Sequence, residues 1–343
     1  MRRRLGRALD WRFRAVTNRA DALLGHMESL EQRLESVTLQ LRELVGEVEQ
    51  VQRLAASMPQ AAADAATVRE LVEEGVQPIL RAIVDEESEN RRRLNAVRGS
   101  PHYQDAYLDR NPLVSITLPT RDRPELLASR ALPSLLAQTH IHLEVLVVGD
   151  DASPEVAEAV ASLGDSRITY ANLSQRISAH PDPTRRWLVG STMARNEAAR
   201  RARGSWLLHF DDDDELRPDS IASLLEVARE QRVEVAYGGF DAHHSDGQVR
   251  TALAWPPTPG QFGWQGALVH GGLRFFEREL VAAYLRRPGD IYLLERMLRV
   301  GVRFAMLDRV VWDYFPSEAT WTPSGVEATR MQTSSTVAGS SSD

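Results

Sequence analysis

Four consecutive carboxylates, Asp211-Asp212-Asp213-Asp214, follow the strand-like run Trp206 to Phe210 and precede a helix expected to begin near Pro218. Like charges packed this tightly repel and raise one another's pKa values, so a divalent cation or a spread into solvent must keep them ionised. Hard oxygen ligands at a strand end suit Mg²⁺ or Mn²⁺, and such an ion can hold a diphosphate in turn. A solvated acidic turn capping the next helix is the competing reading of the same residues. A second acidic pair, Asp150-Asp151, ends the apolar run Val145 to Gly149. If both runs are parallel strands of one sheet, the two acidic ends face one crevice, as a nucleotide site requires. Asp151 and Ser153 also suit a turn and N-cap before a helix at Pro154.

The elements that must position these acids are legible as an α/β rhythm. Short apolar runs (Leu113 to Leu118, Glu144 to Val148, Ile168 to Ala171, Trp206 to Phe210) alternate with helical patterns from Pro124 to Gln138, from Pro154, and from Gly190 to Arg203. The pattern predicts a mostly parallel sheet flanked by helices, with ligands collecting at the carboxyl ends of its strands.

Ahead of this domain the apolar positions Leu23, Met27, Leu30, Leu34, Val37, Leu41, Leu44, Val48, Val51 and Ala55 alternate spacings of four and three. Such a heptad seam predicts a coiled coil, and with it a homo-oligomer or a docked partner protein; a long helix packed on its own domain is the alternative. The first twenty residues set seven arginines against the single acid Asp10. That basic amphipathic pattern fits either peripheral contact with an anionic membrane or an arginine-edged start to the coil. The expected organisation is a helical and coiled-coil region over 1–98, a linker over 99–112, the α/β domain over 113–316 and a disordered Ser/Thr-rich tail over 317–343.

Composition narrows the chemistry. The 343 residues contain no cysteine and no lysine, which removes disulfides, thiolate nucleophiles, cysteine-ligated zinc, Schiff bases and a P-loop lysine. A formal charge of −7 is too mild to make nucleic acid or another polyanion a bulk partner. No apolar run approaches the ~18 residues needed to span a bilayer, so the expected location is cytoplasmic, with the inner membrane face as a site of peripheral contact.

The segments Val114 to Pro124 (VSITLPTRDRP), Ser134 to Thr139 (SLLAQT) and Glu144 to Asp151 (EVLVVGDD) resemble the opening of family 2 glycosyltransferases. Ala194-Arg195-Asn196, Ala202-Arg203-Gly204 and the Phe210 to Asp214 block are similar to that family's next segment. The resemblance covers about 113–315 and implies a GT-A fold, Rossmann-like, behind the added N-terminal coiled coil. It implies inverting transfer of a single sugar from a UDP-, GDP- or dTDP-linked nucleotide-sugar donor to a glycan or lipid-linked acceptor.

Carried over by position, the resemblance puts Pro119, Thr120, Arg121 and Asp150 against the nucleotide base, Arg195 against phosphate and Asp212 beside the nucleotide. Asp211 and Asp213 match the family's D-x-D, implying Mg²⁺ or Mn²⁺ there, and Asp214 falls where donor or acceptor is contacted. Gly289 to Arg296 (GDIYLLER) resembles the helix start bearing the general base, which makes Asp290 the base. Many relatives carry acids where this chain has Gly289 and Tyr292, and Asp290 would equally serve as an N-cap for a helix from Ile291 to Val300. The family's processive members carry a Q-x-x-R-W motif that is absent here. Trp255, Trp264 and His270 are expected to line the acceptor side, although buried core aromatics would look the same. Two other functions remain: a non-catalytic coiled-coil scaffold with a degenerate domain, and a sugar nucleotidyltransferase, whose glycine-rich loop Pro119-Thr120-Arg121 does not provide.

Overall fold

The computed structural model describes residues 77–174 and 187–316. The heptad seam, the basic first twenty residues and the Ser/Thr-rich tail lie outside them. The chain divides into Met1–Val84, of which residues 77–84 are described as the opening of a helix, and Asp85–Asp343. That helix, α1, spans Gln77–Arg98.

Within Asp85–Asp343, α2 (Pro101–Leu108) leads into β1 (Val114–Thr120). Helix α3 follows, with α turns at Pro124–Leu126 and Leu132–Leu136 flanking a π segment at Leu127–Ala131. Then come β2 (Leu143–Asp150), α4 (Pro154–Ser162) and β3 (Ile168–Leu173). After residues 175–186 the chain continues through α5 (Thr192–Arg201), β4 (Trp206–His209), β5 (Glu215–Leu216) and α6 (Ser220–Gln231). It closes with β6 (Val235–His243), β7 (Val249–Ala252), β8 (Ala267–His270), α7 (Val281–Tyr284), α8 (Gly289–Arg299) and β9 (Phe304–Tyr314).

The strands form one mixed sheet in the order β3-β2-β1-β4-β8-β6-β9-β5, with β7 added to β6. All pairings among β1 to β4 are parallel, as the α/β rhythm predicts. Beyond β4 the order of directions changes: β8 is antiparallel to both β4 and β6, while β6 and β9 pair in parallel. Strand β2 is buried on both faces, which is why its sequence is a continuous apolar run and not an alternation. It sends Val145 and Val147 into one core with Leu135, Val156 and Leu224, and Leu146 and Val148 into another with Ala194, Ala198 and Leu293. Two glycines are required by geometry. A Cβ on Gly204 would lie 2.7 Å from the backbone of β1, and Gly301, at φ +84°, makes the left-handed turn that ends α8 before β9.

The expected linker over 99–112 is corrected by α2, whose Tyr103, Ala106 and Tyr107 are buried in the main core. Gly99, Pro101 and Pro112 read as breakers, yet here Pro101 opens a helix. Leu94 of α1 is also fully buried, so the packed body starts well before residue 113. Among the described residues no helix is long and apolar enough to cross a membrane.

Candidate active site

The carboxyl ends of β1, β2 and β4 assemble the acidic residues singled out by sequence. Phe210, fully buried, donates its N–H to the carbonyl of Thr117 at 2.9 Å and so pins the start of the acidic turn against β1. Asp150 ends β2 on the other side of β1 and is buried. Two strand spacings, roughly 10 Å, therefore separate the two acidic ends. After Asp150 the chain turns at Asp151, whose φ is +57°, and Asn172 of β3 holds the turn by bonding both Ala152 N (3.0 Å) and Ala152 O (2.8 Å).

Each member of the acidic run meets a different environment. Asp211 accepts from Arg195 Nη2 of α5 at 2.5 Å and from Gln265 Nε2 at 2.6 Å. Burial opposes its charge, but Arg195 outweighs burial and holds the carboxyl below its ordinary pKa. Asp212 accepts from Thr120 Oγ1 at 2.7 Å and from Arg123 Nη1 at 3.2 Å, and burial still pushes it upward. Asp213 pairs with Arg123, and Arg130 Nη1 donates to its carbonyl at 2.8 Å. Burial, followed by the charge of Asp211, raises its pKa to about 6. Asp214 is fully buried and accepts the Phe315 N–H at 3.2 Å on Oδ1, while Oδ2 has no partner among the described residues. Burial and then Asp211 push it well above the ordinary carboxylate range.

Beneath the run, His209 is paired with Thr117 Oγ1 at 2.8 Å. Burial, aided by Arg278 and Arg195, lowers its pKa to about 3, so the imidazole is neutral. The crevice thus holds an excess of buried negative charge that protein cations only partly offset. Oxygen donors at Asp211 and Asp213, with Asp213 held up to about 6, fit a divalent cation, which would relieve that excess. Among the described residues no three acidic or imidazole side chains converge as a complete metal cage, so a bound diphosphate would have to supply further ligands.

Asp290 reaches the same crevice from α8. It is exposed and lies in the first turn, where Oδ1 accepts the Ile291 N–H at 2.8 Å; the N-cap is Pro288, not Asp290. Its charge acts on Arg195 and Arg278, the arginines that also feel Asp211. Two bonds fix the helix start: Gly289 N to Leu188 O at 2.7 Å, and Trp264 Nε1 to Asp290 O at 2.9 Å.

Other expected contacts are placed differently. Trp264 is buried against Phe262 and His209, so its ring braces the helix start and has no face left for a sugar. Trp255 is half-exposed but stacks on Tyr237. His270 is corrected outright: β8 runs antiparallel to β4, and His270 pairs with Trp206 at the opposite sheet edge, buried among Tyr103, Tyr107 and Trp206. Pro119 is buried in β1, Thr120 is occupied by Asp212, and Arg121 is exposed beside Asp122. Sequence reasoning missed Arg123, Asn172, Gln265 and Arg278. A signal existed only for Arg123, which lies within the segment whose likeness to the family was noted.

The family model "Glycosyl transferase family 2" matches residues 115–284, from β1 through α7. Succinoglycan biosynthesis protein ExoO of Rhizobium meliloti is 30% identical over 119 residues, covering 35% of this chain and 31% of that one. The UDP-Glc:alpha-D-GlcNAc-diphosphoundecaprenol beta-1,3-glucosyltransferase WfgD of Escherichia coli is 26% identical over 41% of this chain and 51% of its own. GalNAc(5)-diNAcBac-PP-undecaprenol beta-1,3-glucosyltransferase of Campylobacter jejuni is 29% identical over 35% of each chain. The chain thus spans about a third to a half of the length of these curated relatives. Among solved structures, S. aureus TarS 1–349 in complex with UDP matches 60% of each chain at 16% identity and a TM-score of 0.47. With the acidic strand ends and the segments around them falling inside the matched region, residues 115–284 of this chain form a glycosyl transferase family 2 domain.

Proposed function

We propose that the domain is an inverting, metal-dependent glycosyltransferase of GT-A architecture that moves one sugar from a nucleoside-diphosphate donor to an acceptor hydroxyl. The observation that carries this reading is the acidic run at the end of β4, under-neutralised and facing both Asp150 and the exposed Asp290. The names of the Escherichia coli and Campylobacter jejuni relatives describe glucosyl transfer to undecaprenyl-diphosphate-linked sugars, the former from UDP-Glc. They favour a UDP-linked donor and a lipid-linked acceptor here.

In this reading Asp150 accepts an N–H of the base, and the nucleotide lies across the end of β1. Bound by Asp211 and Asp213, Mg²⁺ or Mn²⁺ would stabilise the charge of the departing diphosphate as a Lewis acid. Asp290 takes the proton of the acceptor hydroxyl as its oxygen bonds to the anomeric carbon. The bond from that carbon to the diphosphate breaks with its electron pair leaving on the phosphate oxygen, and attack from the opposite face inverts the centre. Trp264 and Leu188 fix the backbone on which Asp290 stands, so the base needs no reorganisation to meet the hydroxyl.

Calorimetric titration of UDP, GDP and dTDP into the full chain, with and without Mn²⁺, tests the reading. Metal-dependent binding of one nucleotide, lost in Asp213→Ala, is expected. Absence of binding by all three would overturn it in favour of a non-catalytic scaffold.

A further inference from the structure

Among the described residues the cations around the acidic run are engaged, with one exception. Arg195 is held by Asp211 at 2.5 Å, Arg123 bridges Asp212 and Asp213, and Arg130 donates to the Asp213 carbonyl and lies 3.8 Å over the Phe315 ring. Arg278, half-buried after β8, has neither an ion pair nor a side-chain hydrogen bond among the described residues, and its Nε is buried without a partner. Its backbone, by contrast, is clamped. Asn196 of α5 donates from Nδ2 to Arg278 O at 2.8 Å and accepts from Arg278 N at 2.9 Å on Oδ1. Asn196 follows Arg195 directly, so one turn of α5 places both arginines on the same crevice.

The charges acting on Arg278 are Arg195, which repels it, and Asp290 and Asp211, which attract it from beyond ion-pair distance. Burial first, and Arg195 second, lower its pKa to about 10, so it remains cationic at neutral pH. A buried guanidinium Nε–H without an acceptor is costly, and a protein normally satisfies it. Here the backbone clamp holds the arginine in place, and among the described residues no side chain answers it. A planar fork of donors in that condition matches a phosphate oxyanion, which it can engage through two parallel hydrogen bonds.

We infer that Arg278, positioned by Asn196, is a binding residue for a diphosphate group lying between the acidic run and Asp290. The inference rests on the glycosyl-transfer reading, and it assigns to Arg278 the phosphate contact that the family resemblance gives to Arg195, which is already committed to Asp211. The diphosphate has two sources in such a reaction, the nucleotide donor and a lipid-linked acceptor, and the same oxyanion chemistry serves either.

The test uses the full chain with Mg²⁺ present and compares the wild type with Arg278→Gln, Arg278→Lys and, as a control, Arg200→Gln. Arg200 lies on α5 and pairs with Glu277 on the exposed surface. Affinities for inorganic pyrophosphate and for UDP, GDP and dTDP are each measured alone, and pyrophosphate again with whichever nucleotide binds at saturation. Expected is a loss of 10-fold or more in Arg278→Gln, only partial recovery in Arg278→Lys, which restores the charge but not the fork, and no change in Arg200→Gln, all with unaltered thermal midpoints. A loss seen for both pyrophosphate alone and the nucleoside diphosphate assigns the donor. A loss confined to pyrophosphate added on top of saturating nucleotide assigns the acceptor. Wild-type pyrophosphate affinity in a folded Arg278→Gln, in both conditions, would overturn the inference. If no nucleotide binds the wild type but pyrophosphate does, and Arg278→Gln loses it, the anion site stands while the glycosyl-transfer reading falls. No pyrophosphate binding in the wild type overturns the anion site itself.

Discussion

Two buried acidic clusters sit at opposite edges of the same sheet, and they differ in how completely their charges are met. At the edge away from the crevice, Glu234 has no exposed surface and receives Arg98, Arg303, the Tyr103 hydroxyl and the Arg303 N–H. Burial opposes its ionisation, but those donors overcome it and pull the pKa to about 2. At the crevice edge Asp213 is pushed up to about 6, and Asp214 keeps an oxygen with no partner among the described residues. A fully answered carboxylate serves the fold, here by tying α1, α2 and β9 to β6. An incompletely answered one stores a demand that a ligand meets.

The largest expected effect breaks the satisfied cluster. Glu234→Ala removes the acceptor shared by Arg98, Arg303 and the Tyr103 hydroxyl; water reaches the partly exposed Arg98 and half-exposed Arg303, so the cost should be about 3 kcal/mol, the lower end for breaking a buried ion pair. Urea unfolding followed by fluorescence should show that loss. Nucleotide affinity of the fraction still folded should stay within about threefold of wild type, since Glu234 lies away from the crevice. A similar drop in affinity would mean that the two edges are coupled and the comparison is wrong.

Next comes a loss in rate and not in stability. Asp290 is exposed, and its one side-chain hydrogen bond is to its neighbour's N–H. Asp290→Asn keeps that acceptor while removing the base, so kcat should fall by roughly 10²–10⁴ with donor KM unchanged and the thermal midpoint barely moved. A large shift in midpoint with little loss of kcat would make Asp290 a structural residue.

How much of this was legible in the sequence follows the same division. The acidic run and Asp150 were readable because their residue types are conspicuous and each stands at the end of a continuous apolar run. Arg123, Gln265 and Arg278 were not singled out, because Asp212, Asp211 and Asn196 bring them in from loops and no local period marks them. His270 was misplaced for a topological reason. Its run is strand-like in either direction, and only the antiparallel pairing of β8 with β4 decides which edge it faces. In the supposed linker, Tyr103 and Tyr107 stand four apart, the spacing of one helical face, but Gly99, Pro101 and Pro112 masked that signal.

The smallest effect separates the two clusters by pH in metal-free protein. Glu234 titrates at about 2 when folded and near 4.5 when unfolded, so the unfolded chain binds more protons between these values. Stability should therefore climb as pH rises from about 2 to 4.5. Asp213 is displaced the other way, from its ordinary value of 3.8 to about 6, so the folded chain binds more protons there and stability should fall as pH rises through that window. Asp213 should contribute on the order of 2 kcal/mol to that fall, so Asp213→Asn should shrink it, the rest belonging to the upward-shifted Asp212 and Asp214, while leaving the acid limb intact. Saturating Mg²⁺ should flatten it as well, because a cation on Asp213 displaces the proton that the folded state would otherwise hold. Denaturant midpoints across the pH range, with and without Mg²⁺, provide the measurement. A wild-type profile with no decline between pH 4 and 6 would show that the crevice acids are as fully answered as Glu234, and that the excess charge taken to call for a metal is not there; a decline undiminished in Asp213→Asn would move the displaced proton to Asp212 or Asp214.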